Sequence, residues 1–562
     1  MSHYAEVIVV NARVKTMDPD NPRAEAIAIA GGRFLKAGSR ADIEPMKGPH
    51  TRIIDAQGGS VLPGFSENHM HIFSGSAELD HLQLAGVSGE AELTARIRAY
   101  SGEKPDEMVL YAQGADYTLL GTGVSVTRQD LDRMMPDRPL VIFAHDHHTA
   151  WANTRALEMA GLLHGGTVPP GNEIVMAADG TASGELREME AFNPLLEISG
   201  FDRFRQGLAT GLEPNPYPDE ATFRRDMDVM RRGLAYCAAH GITSIHNMDG
   251  NRYQLELLEA VLKEDGYLPC RIKIPFHFKP FMELSALERA SEMAARYNNE
   301  YLSSGLVKLF HDGVIDSGTA VMVEPYADDG KNGEPLFTEE KFRAAVIEAD
   351  RRGLQIAVHA IGDGAVRAVL DAYEAAQKAN GRRDSRHRIE HIEVIHPDDI
   401  ARFAELGVIA SMQPPHPPGA MGLPLEPTVS KIGRHRWRYS YAWRTLKEAG
   451  AHIPFASDWP VSPISPVLGI EAAVNRKPWG PEDLDQSFSL DEAIAAYTAE
   501  GAYAEFAEDR KGMIRPGYLA DLVFLSGDIE AVAPSEIHTL GIRGTLIGGR
   551  TGFSDHSDWQ NG

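Results

Sequence analysis

The sequence predicts an α/β fold organised as a parallel (β/α)₈ barrel, a TIM barrel, and three observations predict it. Eight short apolar runs recur through the middle of the chain, at 60–65, 241–247, 271–278, 306–310, 354–359, 387–391, 408–412 and 453–457. Most of the stretches between them place apolar residues at helical spacing, as in 342–352 and 364–379. Parallel strands need a crossover of helical length, so strands alternating with helices imply a parallel sheet, and eight such units close a barrel. The third observation concerns the ends of the chain, which carry short strand-like runs with no helices between them.

In chain order, residues 6–16, 25–30 and 33–38 read as strands, with turns at Asp18–Pro22 and Gly31–Gly32, and 52–55 reads as another. At the far end 520–525 and 541–549 have the same character. One composite β-sandwich from residues 1–58 and 512–562 is the economical reading, with a barrel domain at 59–511 between its halves. About 170 residues separate His71 from Gly241, too many for a simple strand-to-helix loop. They imply an insertion after the first strand, at about 75–225. Residues 313–338 and 414–440 are two further long connections. All three follow strands, so they belong on the face where barrels carry their sites.

The 562 residues are 43% hydrophobic and 24% charged, an ordinary globular composition. The net charge of −25 makes phosphate backbones and anionic lipid poor partners, so the expected partner is a small molecule. Only Cys237 and Cys270 are present, which excludes a disulfide framework and a thiolate zinc site. The first residues lack the basic and apolar regions of a secretory signal, and no stretch approaches 18 apolar residues. The cytoplasm is therefore the expected location.

Five features carry chemistry. His69 and His71 form an H-x-H pair, and in extended chain residues i and i+2 face one side, so both imidazoles can hold one ion. Lys308 interrupts the apolar run Leu-Val-Lys-Leu-Phe, a costly place for a charge unless it is paired or removed. Carbamylation by CO₂ would turn its amine into a carboxylate-like metal bridge. His359 ends the run Ile-Ala-Val-His, His391 lies in Arg-Ile-Glu-His, and Asp458 follows Pro-Phe-Ala-Ser. These residues fall at the ends of the first, fourth, fifth, sixth and eighth strands, which converge on one mouth of a barrel. Four histidines, a lysine and an aspartate there suit one or two divalent ions bound through nitrogen and oxygen.

The order H-x-H, Lys, His, His, Asp resembles the amidohydrolase superfamily, and more narrowly its YtcJ-like branch, which includes N-substituted formamide deformylase. The stretches LPGFSENHMH, VKLFHDG, VHAIGDGA, RIEHIE, FASDWPVSPISPVLGIEAAV and RKGMIRPGYLADLVFL carry the likeness, which runs almost end to end. The resemblance implies that His69, His71 and Asp458 bind one metal, zinc being expected. It implies that Lys308, as a carbamate, bridges to a second ion held by His359 and His391. Asp458 would be the general base. His148 matches a histidine of the branch's insertion and is expected at the substrate. His311, Asp312, Trp459 and Arg436 are candidates for the pocket wall. Ser66-Glu67 departs from the Ile-Asp that many relatives have there.

The expected activity is hydrolysis of a C–N bond in an amide-like small molecule, an N-substituted formamide or acyl amide, by metal-activated water. Two alternatives stand beside it: a one-metal deaminase of a heterocyclic amine, and a catalytically silent scaffold on the same fold. By analogy with relatives, a homodimer is expected.

Overall fold

The computed structural model describes residues 4–121, 123–145, 147–169, 171–198, 211–328 and 330–556. Residues 199–210, part of the expected insertion, lie outside them. The fold is α/β, in two compact units. The first comprises residues 1–72, 210–459 and 463–562, and the second 73–209 with 460–462. Among the described residues no helix is long and apolar enough to cross a membrane.

In the first unit the strands of the middle region pair in parallel. Phe65–Met70, Ile242–Asn247, Arg271–Lys273 and Leu302–Ser303 form one ladder. Phe276–His277, Leu306–Phe310, Gln355–Ala360, Arg388–His391 and Ile409–Ser411 form a second. The run expected at 271–278 is thus divided between two ladders. The run expected at 453–457 is no regular strand; it bridges Phe455 to Met412, and the following Asp458 N–H donates to His69 O at 2.9 Å. Phe65–Met70 is buried at every position, so both faces are covered and polar residues there need internal partners. Glu67 supplies one link, accepting Ser457 N–H at 2.8 Å. Asn68 supplies another, donating to Phe455 O at 2.7 Å.

The helices start where the sequence offers caps. Thr338 accepts from Lys341 N–H at the start of Glu339–Arg351, and Asn251 from Gln254 N–H at the start of Arg252–Asp265. Gly362, after Gln355–Ala360, is a glycine for space. A Cβ there would sit 2.1 Å from Val321 O.

The ends of the chain meet in one sheet. Its order is Arg550–Ser554, Ile542–Ile547, Leu522–Leu525, Ser60–Pro63, Arg13–Lys15, Arg23–Ala24. The run expected at 60–65 therefore splits at Gly64, its first part pairing with the termini and the rest entering the parallel ladder. A second sheet, Arg33–Gly38, Ala26–Ala30, Ala5–Val10 and Lys47–Asp55, shares one apolar cluster with the first. Val7, Ile27 and Phe34 meet Val61, Leu522 and Leu546 there.

The second unit is a mixed six-stranded sheet with strand Leu140–Ala144 near its centre. Alternate residues of that strand enter different clusters, Val141 and Phe143 one, Leu140, Ile142 and Ala144 the other. Apolar residues at both parities mean that both faces are covered.

Candidate metal centre

His69 and His71 share one face of Phe65–Met70 and its continuation, as the period of two requires. Each imidazole has a carboxylate behind its Nδ1. His69 Nδ1 lies 2.7 Å from Glu390 Oε2, and His71 Nδ1 pairs with Asp249 Oδ2. Both Nε2 atoms turn to one oxygen: Asp458 Oδ1 is 3.4 Å from His69 Nε2 and 3.0 Å from His71 Nε2. That buried oxygen makes no well-aligned hydrogen bond. Two imidazole nitrogens and a carboxylate oxygen around one tetrahedral ion stand about 3.4 Å apart, so this donor set fits a divalent cation. Asp458 (φ 61) and His391 (φ 77) both hold left-handed backbone conformations, uncommon for such residues.

The electrostatics couple these groups to one another. Burial alone would lower the His71 imidazole, yet Asp249 and Asp458 push it up to about 9. Burial would raise the Asp458 carboxyl, but His69 and His71 hold it well below the usual carboxylate range. His69 moves down, through burial and then through Lys308. Lys308 is fully buried with Nζ 3.5 Å from His69 Nε2 and 4.5 Å from the Phe310 ring centre. Burial lowers its amine to about 8.

A second group of possible ligands shares Asp458 and comprises His391, His416 and Asp458, with ligand atoms within 4.8 Å of one another. His359 lies beside it, its ring 4.5 Å from that of His391, with Nε2 3.1 Å from Gly313 O.

The other expected residues are placed as follows. His311 packs on Phe342 of the helix Glu339–Arg351, ring centres 4.6 Å apart, while Phe310 stacks on His277 and His359. Strand alternation explains the split. Asp312 accepts N–H groups of Val321, Ile361 and Gly362 at 2.9 to 3.0 Å, tying the 313–321 loop to the turn after His359. Burial raises its carboxyl to about 7 against those bonds. Arg436 donates to Ile432 O at 2.7 Å and to Glu324 O at 2.5 Å, which commits it to backbone carbonyls. Trp459 is buried beside Tyr236, and its carbonyl accepts His71 N–H at 2.8 Å. His148 belongs to the second unit, where Nδ1 lies 2.8 Å from Glu188 Oε2.

Asp249, Glu390, Gln413 and His416 were not among the expected residues. Asp249 follows the buried strand Ile242–Asn247, and Glu390 alternates with Arg388 inside a buried strand. Those signals were present. What the sequence lacked was which carboxylate meets which imidazole.

The matches with known proteins define the class, a hydrolase. The model of the Amidohydrolase family matches residues 52–553. The chain belongs to that family. It is 30% identical over 557 residues to Protein LONG AFTER FAR-RED 3 of Arabidopsis thaliana, covering 97% of this chain and 91% of that one. It is 28% identical to YtcJ of Bacillus subtilis (strain 168), covering 96% and 97%. It is 23% identical to N-substituted formamide deformylase of Arthrobacter pascens, covering 98% of each. A solved structure of an uncharacterized metal-dependent hydrolase from Pyrococcus furiosus superposes with a TM-score of 0.69 at 25% identity, covering 94% of this chain and 99% of that one.

Proposed function

We propose that this protein is a zinc-dependent hydrolase cleaving the C–N bond of an amide-like small molecule, an N-substituted formamide or acyl amide. The proposed scaffold is a (β/α)₈ barrel at 59–511 with an insertion at about 75–225, and a sandwich made from both ends of the chain. The observation that carries the function is the convergence of His69 Nε2 and His71 Nε2 on Asp458 Oδ1, in a chain similar end to end to a formamide deformylase.

His69, His71 and Asp458 would hold the ion, and for a second ion the family resemblance offers Lys308 as a carbamate with His359 and His391. A divalent ion there supplies Lewis-acid polarisation of a carbonyl and lowers the pKa of water. The chain's own residues do the rest. Glu390 and Asp249 accept from the Nδ1 side, leaving the Nε2 lone pairs of His69 and His71 turned inward. Asp458 takes a proton from the attacking water and passes it to the leaving nitrogen. Burial of these groups keeps bulk water from competing for that proton.

The test is a panel of N-substituted formamides, acyl amides, ureas and cyclic imides against zinc-loaded protein and the His69→Ala/His71→Ala double variant. Hydrolysis of a panel member by the parent and its loss in the folded variant are expected. An equal rate in both would sink the reading.

A further inference from the structure

Three arginines in the late connections of the first unit are matched to acceptors. Arg434 bonds Asp483 Oδ1 at 2.7 Å, Arg436 bonds the Ile432 and Glu324 carbonyls, and Arg444 reaches both oxygens of Glu492 at 2.8 and 2.7 Å. Arg476, just past the helix Pro466–Val474, is not matched in this way. Its one hydrogen bond runs from Nη1 to the neighbouring Lys477 carbonyl. Its Nε is buried with no hydrogen-bond partner. Among the described residues no carboxylate stands within ion-pair distance of it. Burial lowers the guanidinium to about 10, and the charges of Tyr441, Asp483 and Asp485 offset this only in part. A cation taken from water without a counter-charge is costly, and such a cost marks a position that a ligand completes.

The unmatched group rests on a fixed support. Its guanidinium lies over the Trp479 ring, 5.0 Å from the ring centre. Trp479 meets Tyr441 and Trp437 edge-on at 5.9 and 6.3 Å, and its Nε1 donates to Pro418 O at 2.8 Å. The same wall leads to the metal centre. Tyr441 N–H donates to Glu393 O at 2.8 Å, Glu393 Oε1 faces His416 Nδ1 at 3.6 Å, and His416 Nε2 faces Asp458 Oδ2 at 3.9 Å. The donor geometry selects what Arg476 can take. With Nη1 turned to Lys477 O, the edge left over is Nε–Nη2. Its two N–H bonds run parallel and match the two oxygens of one carboxylate. Asp483 and Asp485 nearby disfavour a doubly charged phosphate.

We infer that Arg476 is a substrate-binding residue, taking a carboxylate that the substrate carries several bonds away from the amide to be cleaved. This rests on the C–N hydrolase reading and narrows its substrate class to anionic amides. The separation follows from the wall itself. Tyr441, Glu393 and His416 stand between Arg476 and Asp458, so a carboxylate directly beside the amide would not reach both ends.

The experiment compares N-formyl ε-aminohexanoate with the alcohol that replaces its carboxylate, on the zinc-loaded full-length chain. Cleavage is read as kcat/KM of amine release, and binding by isothermal titration. The parent is expected to favour the acid about 10- to 100-fold, chiefly through KM, as a charge-assisted pair would give. Arg476→Met should bring the acid-to-alcohol ratio near one. Arg476→Lys, which keeps the charge but not the fork, should restore part of it. Should Arg476→Met not fold, Arg476→Lys carries the test, and a ratio equal to the parent's overturns the inference. A parent that does not distinguish acid from alcohol, or an Arg476→Met variant that weakens both by the same factor, also overturns it. So does tighter binding of the corresponding phosphate ester than of the acid. A parent that binds the acid selectively through Arg476 but cleaves neither compound upholds the carboxylate site and counts against the hydrolase reading.

Discussion

Two buried polar groups meet at Glu390 of the strand Arg388–His391, and they are built on opposite principles. Arg388 is 1% exposed and saturated. It donates to Glu390 Oε1 at 2.7 Å, Asn68 O at 2.6 Å and Ser411 Oγ at 2.9 Å, and meets His246 Nδ1 at 2.9 Å. Around it Lys511 bonds Ser244 Oγ at 2.6 Å and pairs with Glu505, while burial lowers Lys511 to about 7 and Lys273 to about 8. At the His69–His71–Asp458 group, in contrast, both Nε2 atoms turn to Asp458 Oδ1, an oxygen that accepts no well-aligned hydrogen bond. Both groups carry buried charge and shifted titration, so neither property separates a site from a brace. The bookkeeping of lone pairs does. The Arg388 guanidinium gives all three of its nitrogens to protein partners, and the site keeps Asp458 Oδ1 for something that arrives.

That contrast breaks most easily at its two centres. Asp458→Ala is expected to lower kcat/KM on a panel substrate by at least about 10³-fold, because proton transfer and ion binding fall together. Unfolding by urea should move little. Arg388→Met is expected to do the reverse, costing about 3–5 kcal/mol by leaving Glu390 and its neighbours without their counter-charge. Chemical denaturation would show it, and an unchanged midpoint would mean that the brace is dispensable.

The sequence made the site's inner ring legible for a physical reason. The candidate ligands are His, Lys and Asp, types that stand out against apolar runs such as Leu306–Phe310 and Gln355–Ala360. Strands such as Leu306–Phe310 and Gln355–Ala360 were legible because they are buried along almost their whole length and read as mainly apolar segments. Residues 453–457 misled because an apolar run can be held by backbone bridges and side-chain bonds instead of a ladder. His311 was expected at the pocket wall and packs on Phe342, because one residue along a strand reverses the side chain. Asp249, Glu390 and His416 stayed hidden, since their roles depend on partners 178, 321 and 42 positions away.

Glu390 belongs to both groups, accepting from Arg388 and from His69, and so tests how far they are coupled. Glu390→Gln keeps shape and removes charge. It is expected to weaken zinc affinity about 10- to 100-fold, the usual effect of losing a carboxylate behind a ligand imidazole. Competition with a chromogenic chelator measures it. An unchanged affinity would show that His69 is oriented by packing alone.

The smallest effect is expected far from either group, at Asp350 near the end of Glu339–Arg351. Its buried carboxylate accepts from Arg383 Nε and Asn380 Nδ2 at 2.9 Å and lies 3.1 Å from His387 Nε2. Burial alone would raise its carboxyl, but the bonds from His387 and Asn380 and the charge of Arg383 outweigh it and hold the group at about 2. The unfolded carboxyl titrates near about 3.9. A depressed folded value means stability that is present above about pH 4 and lost as the pH falls through about 2. Urea midpoints measured at pH 7 and pH 3 should therefore differ less for Asp350→Asn than for the parent, after the variant's own loss at neutral pH is subtracted. Identical pH dependence in the two proteins would mean that Asp350 stays paired in the unfolded chain, and that this brace acts through shape rather than charge.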